Sequence, residues 1–227
     1  MTTVDSTTDT DTVAGASRPL RKDAARNRQA LLDAGRVVFA ERGLDASLDD
    51  IAHHAGLGVG TAYRHFTNKH ELAKAIFAEG VDRMLDLADR AAADPDPWTG
   101  LVRFLEGAAE AQCADRGLRE TLMGFHDVEA FDRVQERFTT ALTSLIERGR
   151  ESGALRADAA PTDVGVIVIM LGTVADLSVN GAPDLWRRYL PLLLAGLRPG
   201  GPDLPHPPME LDALRNAMVS YKQRGCG

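Results

Sequence analysis

Apolar residues recur along most of this chain with the spacing of amphipathic helices and not with the alternation of strands. In the first segment they occupy positions i, i+1, i+4, i+7 and i+8, at Leu31, Leu32, Gly35, Val38 and Phe39. This stripe predicts a helix that begins near residue 23 and ends at Gly43, since glycine readily adopts the backbone conformation that follows a helix. No strand-period pattern or internal repeat stands out, so we expect an all-α protein.

Three shorter helices are predicted directly after this one. Ser47 and Asp50 have the spacing of a capping box and predict the start of a second helix, which ends at Gly56. A third helix is predicted at residues 59–66, and Asn68 caps a fourth. Four helices therefore fit into about 65 residues, and two of them are joined by the short glycine-containing turn of a helix-turn-helix.

The remainder of the chain keeps a helical pattern with longer elements, predicted at residues 98–114, 116–125, 128–152, 164–179 and 183–197. The element at 164–179 is apolar nearly all round, so it must be buried on all sides. It is covered either by a second subunit or by its own domain, and the pattern leaves both readings open. A last apolar stripe at 209–223 docks on the body or on a partner, or it is a frayed tail.

Charge is distributed unevenly over the 227 residues. The whole chain carries a net charge of −7, but residues 18–70 contain nine basic and six acidic side chains, a net charge of +3. This uneven distribution is either a chance fluctuation or the sign of a nucleic-acid-binding module attached to an acidic body. The expected organisation is a disordered tail (1–20), a DNA-binding domain (21–80), a helical body (81–198), and a linker with a short helix or tail (199–227).

Several other classes of function lack support in the sequence. Cys113 and Cys226 supply neither a disulfide framework nor a zinc pattern, which fits a cytoplasmic protein. His53 and His54 point about 100° apart on a helix and cannot share one metal ion. The longest apolar run is too short and too interrupted to span a bilayer. We therefore predict no enzyme activity, metal site, cofactor or membrane association.

The helix predicted at 59–66 has the residues that a DNA-reading helix needs. Gly60 allows the backbone to approach phosphates, while Val59 and Thr61 project from the first turn, where base edges lie. Arg64 is expected to reach a guanine, with Tyr63 and His65 on phosphates. Three further phosphate contacts are predicted near helix starts or in the basic N-terminal segment, at Ser47, Lys69 and Arg26.

Four motifs in this region resemble the DNA-binding domain of TetR-family transcriptional regulators. They are F-A-E-R-G at 39–43, D-I-A-x-x-A-G at 50–56, V-G-T-x-Y-R-H-F at 59–66 and N-K-x-E-L at 68–72. The resemblance covers about residues 24–81. Two positions depart from the family pattern, since Gly58 stands where serine is frequent and Ala62 where leucine is usual. Glycine costs only a few tenths of a kcal/mol relative to serine at such a cap, so the first departure is tolerable.

Residues 98–198 resemble the C-terminal domain of the actinobacterial SbtR-like group of that family. The resemblance implies an all-α body, a homodimer through residues 162–180 and 184–197, and a ligand cavity within each subunit. Residues 81–198 are therefore expected to form a helical ligand-binding and dimerisation domain. Candidate ligand contacts are the aromatic, methionine and acidic side chains Phe104, Met123, Phe125, Phe138, Met170 and Asp176. Asp176 either orients a ligand or pairs with Arg187 or Arg188 across the dimer.

Together these features predict a repressor that binds a pseudo-palindromic operator as a homodimer and leaves it when an unknown small molecule binds. The alternative is a DNA-binding regulator without a small-molecule ligand, controlled by its abundance or by a protein partner. A body with no sizeable apolar pocket would favour the alternative.

Overall fold

The computed structural model describes residues 17–114, 128–178, 181–214, 216 and 217. Every regular element in these ranges is helical, which confirms the predicted all-α class. The chain divides into two compact units, residues 1–73 and 74–227, and the division falls inside one long helix.

Four helices begin in the first unit. They are α1 (Ser17–Arg42), α2 (Leu48–His54), α3 (Val59–His65) and α4 (Lys69–Ala93), which continues into the second unit. A single 3-10 turn at Gly43–Asp45 separates α1 from α2. α1 begins six residues before the predicted start near residue 23, so residues 17–20, assigned to the tail from sequence, have helical backbone. The other starts agree with the predicted ones within a residue.

The first unit is held by a small apolar core. α1 packs on α2 and α3, and α2 packs on α3. The side chains that are fully inaccessible to solvent come from each of these helices and from the start of α4: Leu31, Leu32, Ile51, Ala52, Ala62 and Leu72. Burying a leucine or isoleucine side chain contributes about 1.5–3 kcal/mol. This core therefore fixes the angle between the two helices of the helix-turn-helix.

The second unit contains the rest of α4 and the helices α5 (Pro97–Ala114), α6 (Val128–Glu151), α7 (Pro161–Ser178) and α8 (Trp186–Gly196). Its core includes the large buried side chains Phe104, Leu145, Leu171 and Trp186. Residues 211–214, 216 and 217 are also helical. The helix predicted at 116–125 lies outside the described residues.

The apolar helix α7 is buried on one side only. Val164, Ile167, Val168, Leu171 and Ala175 face the core of the second unit, whereas Met170 and Leu177 are 46% and 82% exposed. Among the described residues, α7 is also a helix long and apolar enough to cross a membrane by length and composition. That test is passed equally by core helices of soluble proteins, and the packing of α7 against α5, α6 and α8 fits a core helix.

Candidate nucleic-acid interface

The start of α2 is fixed by the predicted capping box. The amide of Asp50 donates to Oγ of Ser47 at 3.1 Å, and Oδ2 of Asp50 accepts from the amide of Ser47 at 3.0 Å. The Ser47 hydroxyl also donates to this oxygen at 2.6 Å. These hydrogen bonds from Ser47, its side chain first, hold the pKa of Asp50 below its usual value. A phosphate contact by the Ser47 hydroxyl would therefore have to replace a bond to Asp50.

The turn between α2 and α3 requires a glycine at one position. Gly56 has φ of +68°, where a side chain would be strained. The amide of Leu57 donates to the carbonyl of Ala52 at 2.9 Å, and the amide of Gly56 donates to the carbonyl of His53 at 3.1 Å. These two bonds form a Schellman motif, which ends α2 within one turn.

Helix α3 has a buried side and an exposed side, as the sequence predicts. Ala62 within it is fully buried and Phe66, its C-cap, is 4% exposed, so both belong to the core of the unit. Gly60, Tyr63 and Arg64 are exposed, and Val59, Thr61 and His65 are half-buried. Gly58 caps the start of α3 without a side-chain hydrogen bond. The residues predicted to read DNA thus share the accessible face of one short helix.

Two of these residues are engaged by neighbouring groups. The Arg64 side chain folds back along α3, with Nε donating to the Gly60 carbonyl at 3.1 Å and Nη2 to Oγ1 of Thr61 at 3.4 Å. A hydrogen bond to the Asp49 carboxylate raises the pKa of the Tyr63 hydroxyl above its usual value. Contact with a base by Arg64 requires its side chain to leave the helix surface.

The start of α4 repeats the capping pattern of α2. Oδ1 of Asn68 accepts from the amides of His70 and Glu71, both at 3.0 Å, and Oε2 of Glu71 accepts from the amide of Thr67 at 2.8 Å. Lys69 follows this cap at the first position of α4 and is half-buried. The predicted cap at Asn68 is therefore present.

Basic residues of α1 have two different roles. Arg26 is exposed and forms an ion pair with Asp23 at 3.2 Å. Arg28, which the sequence analysis did not single out, lies 5.2 Å above the centre of the Phe66 ring. This cation–π contact joins α1 to the end of α3. A residue 38 positions away provides the ring, so no local sequence signal identifies it.

The four candidate ligand residues that the structure describes lie on two different sides of α7 and its core. Phe104 is fully buried and its ring centre lies 5.7 Å from that of Phe138, within the core. Met170 and Asp176 are instead on the exposed side of α7, because α7 turns only one side to its own unit. Met123 and Phe125 lie outside the described residues.

A cleft in the described part of the second unit lies between the end of α4 and α6. It has a volume of about 580 Å³, is open to solvent, and is lined by Asp89, Ala92, Ala93, Glu136, Arg137, Thr140, Ala141 and Ser144. An ion pair between Asp89 and Arg137 crosses it. These residues are mostly polar or small, unlike the aromatic set predicted from sequence.

The capped helix-turn-helix and the separate helical unit define the class of a DNA-binding regulator with an attached helical domain. Residues 31–76 match the family described as bacterial regulatory proteins, tetR family, and residues 96–199 match the C-terminal domain of SbtR-like transcriptional regulators. The chain belongs to the TetR family of transcriptional regulators.

Two solved structures and one sequence relative agree with this assignment. A TetR regulatory protein from Mycobacterium vanbaalenii is 33% identical, with 79% of this chain and 99% of that chain covered and a TM-score of 0.56. A TetR regulator from Streptomyces coelicolor is 30% identical, with coverage of 77% and 99% and the same TM-score. The transcriptional repressor KstR2 of Mycolicibacterium smegmatis is 25% identical over 76% of this chain and 91% of its own length.

These comparisons establish the general function. The chain is a DNA-binding transcriptional regulator, and DNA and a second copy of the chain are its partners. Its fold and its relatives are those of transcriptional regulators. Regulators of this family are soluble DNA-binding proteins.

Proposed function

We propose that the chain is a cytoplasmic repressor that binds a pseudo-palindromic operator as a homodimer and is released from it by a small molecule. The observation that carries the DNA-binding part is the accessible face of α3, held between two local caps. In the dimer, the two α3 helices enter successive major grooves about 34–36 Å apart. A relative of comparable length, KstR2, is named as a repressor, which supports repression as the mode.

The DNA contacts divide into base readers and phosphate contacts. Val59 and Thr61, at the first turn of α3, meet base edges, and Arg64 reaches a guanine once its side chain leaves the helix surface. Gly60 lets the backbone approach the phosphates. The remaining residues contact phosphates, which position the protein but carry no sequence information: Ser47, Tyr63, His65, Lys69 and Arg26. Exposure of Tyr63, Arg64 and Arg26 makes these three side chains accessible to DNA.

The dimer face proposed here consists of the exposed sides of α7 and α8. Met170, Thr173 and Leu177 follow one another at helical spacing on α7, and Tyr189 and Leu192 do so on α8, at 40% and 62% exposure. α7 packs against α8, which supports assigning these exposed side chains of the two helices to one face. Such a surface on a soluble protein favours burial against a second copy, which would use the same surface by two-fold symmetry.

Control by a small molecule is supported by the match of residues 96–199 to the C-terminal domain of SbtR-like regulators. A ligand in the second unit would bind one conformation of the dimer more tightly than another. If the two α3 helices of that conformation have a spacing that does not fit the operator, ligand binding releases the DNA. The alternative, regulation without such a ligand, is favoured by one observation: the cleft in the described part of the second unit is open to solvent and is crossed by the ion pair between Asp89 and Arg137. Ligand pockets are usually concave and mostly apolar.

Selection of DNA by the purified protein from a random library, followed by titration of the selected sequence, tests the proposal. We expect an inverted repeat with half-site centres 10–11 base pairs apart or a multiple of that spacing, and affinity that falls steeply with salt. Absence of sequence-specific binding would reject the DNA-reading role of α3. An asymmetric single site would reject the dimeric mode of binding.

A further inference from the structure

The chain continues beyond the part that matches the SbtR-like domain, which ends at residue 199. The structure describes residues 199–214, 216 and 217 of this continuation, which we call the C-terminal arm. Up to residue 210 the arm has no regular secondary structure. A segment of this kind keeps a defined position only where contacts with the rest of the protein hold it.

Arg156, in the loop between α6 and α7, binds the start of the arm. Its Nη1 donates to the carbonyl of Gly196 at 3.1 Å, and its Nη2 donates to the carbonyl of Pro202 at 2.6 Å. Arg156 also makes two parallel bonds to Asp158, at 2.5 and 3.1 Å, and Oδ2 of Asp158 accepts from the amide of Leu204 at 3.2 Å. Only 11% of the Arg156 side chain is exposed.

Charge-assisted, bidentate arginine–carboxylate pairs are among the stronger hydrogen-bonded contacts in proteins. The bond from Arg156 lowers the pKa of Asp158 below its usual value, so both groups are charged near neutral pH. The pair therefore fixes the path of residues 202–204. We call it the arm clamp.

Two more contacts lie on either side of the clamp, one directly before the arm and one within it. The guanidinium of Arg198 lies 3.5 Å from the centre of the Trp98 ring. Further along, Leu214 packs on α7 at Gly165, where an added β-carbon would lie 3.5 Å from Cδ2 of Leu214. The arm thus reaches α7 at Leu214, 18 residues after the end of α8 at Gly196.

The arm directs apolar side chains outwards although its backbone is held. Leu204 and Met209 are each 48% exposed, and Leu211 is 37% exposed. Gly165, which the arm covers, is one turn before Ile169 and flanks the exposed stripe of α7 that includes Met170. The contact of Leu214 at Gly165 therefore places this part of the arm against α7, one of the two helices of the dimer face proposed above.

We propose that the C-terminal arm extends the homodimer interface, with Leu204, Met209 and Leu211 contacting a second copy of this chain. The proposal rests on the dimer face of α7 and α8. A second copy is the occupant because the arm borders that face, and two-fold symmetry brings the borders of the two faces together. The arm clamp keeps the arm in place before the subunits meet, which reduces the entropy lost on association.

Subunit exchange measures this contribution in the full-length protein. Donor- and acceptor-labelled dimers are mixed, and the rate at which energy transfer appears reports dissociation. Replacing Leu204, Met209 and Leu211 together by serine should accelerate exchange at least about tenfold, because interface substitutions act mainly on dissociation. Arg156→Gln, which retains the apolar side chains but removes the clamp, should accelerate exchange by a smaller factor.

Two controls separate the possible outcomes. Leu44→Ser removes a side chain of the first unit that is 54% exposed and should leave exchange unchanged. Leu177→Glu tests the dimer face itself and should give monomers. If Leu177→Glu disrupts the dimer while the triple serine variant, folded by circular dichroism, exchanges at the wild-type rate, the role of the arm is refuted. A dimer unaffected by Leu177→Glu refutes the face of α7 and α8, and with it the placement of the arm.

Discussion

The hydrogen bonds described in the two units of this chain differ in sequence range. In the first unit, the hydrogen bonds that begin and end α2 join residues at most five positions apart, from Ser47–Asp50 to Ala52–Leu57. In the second unit, Nη1 of Arg148 donates to the Ala92 carbonyl 56 positions away. The side-chain amide of Gln112 donates to the Val168 carbonyl, also over 56 positions.

This difference separates what each unit needs in order to form. The helix-turn-helix obtains its geometry from local caps and a small core, so its shape tolerates changes elsewhere in the chain. The second unit obtains its geometry from distant segments that must pack together. Substitutions in the second unit should therefore destabilise it as a whole, whereas those in the first should loosen one helix end at a time.

The largest effect is expected in the core of the second unit. Phe104→Ala removes a fully buried ring that packs on Phe138, and it should lower the free energy of unfolding by about 3–5 kcal/mol. Phe104→Leu, which leaves less empty volume, should cost clearly less. Denaturant unfolding followed by circular dichroism measures both. Equal losses in the two variants would mean that the ring does not pack as described.

A smaller effect is expected at the turn of the helix-turn-helix. Gly56→Ala places a β-carbon at φ of +68° and should cost about 1 kcal/mol. Gly60→Ala is the matched control, because Gly60 lies within α3 with open space around it. Alanine there should be neutral or stabilising by up to about 1 kcal/mol. Hydrogen exchange of the α2 and α3 amides reports the two effects, and faster exchange only in Gly60→Ala would contradict them.

The capping box of α2 predicts a pH-dependent effect of similar or smaller size. Ser47→Ala should cost about 1 kcal/mol at neutral pH. Because the pKa of Asp50 is lowered in the folded state, its contribution is present above the unfolded value of about 4 and is lost as pH falls through the folded pKa. The difference between wild type and Ser47→Ala should therefore shrink in acid. A difference that grows there would exclude the ionised capping box.

The smallest effect concerns the Tyr63 hydroxyl. Its bond to Asp49 raises its pKa, so its phenolate should form at higher pH than that of an unperturbed tyrosine. In a variant where Tyr189 and Tyr221 are phenylalanine, absorbance of the phenolate follows Tyr63 alone. Adding Asp49→Asn should bring the titration to lower pH. An unchanged titration would mean that the bond is absent in solution.

The same difference in contact range explains which features could be predicted from the sequence. Helix ends at Ser47, Gly56 and Asn68 were predictable because each depends on residues within one turn. The class of the fold followed from periodicity alone. The exposed side of α3 followed from the helical spacing of Ala62 and Phe66, which are four positions apart and have polar residues between them.

Contacts between distant segments could not be predicted in this way. Arg28 stacks on Phe66 and Arg156 holds Pro202, but neither spacing has a recognisable sequence pattern. For the same reason the sequence places Met170 and Asp176 in one candidate ligand site with Phe104. In the structure Phe104 is in the core of the second unit, whereas Met170 and Asp176 are on the exposed side of α7. A helix that is apolar all round does not reveal which of its sides faces its own unit.

The central claim is that α3 reads DNA through the exposed side that its local caps present. Fluorescence anisotropy of the selected operator with Arg64→Ala and Arg42→Ala tests it most directly, because each variant loses one exposed arginine from the same unit. Arg64→Ala should weaken specific binding by about 1–3 kcal/mol and relax the base preference at one position per half-site. Arg42→Ala, which removes a side chain 3.8 Å from Asp50 at the end of α1, should change binding less than about threefold. Equal losses in both variants, with base preference unchanged, would contradict sequence reading by α3.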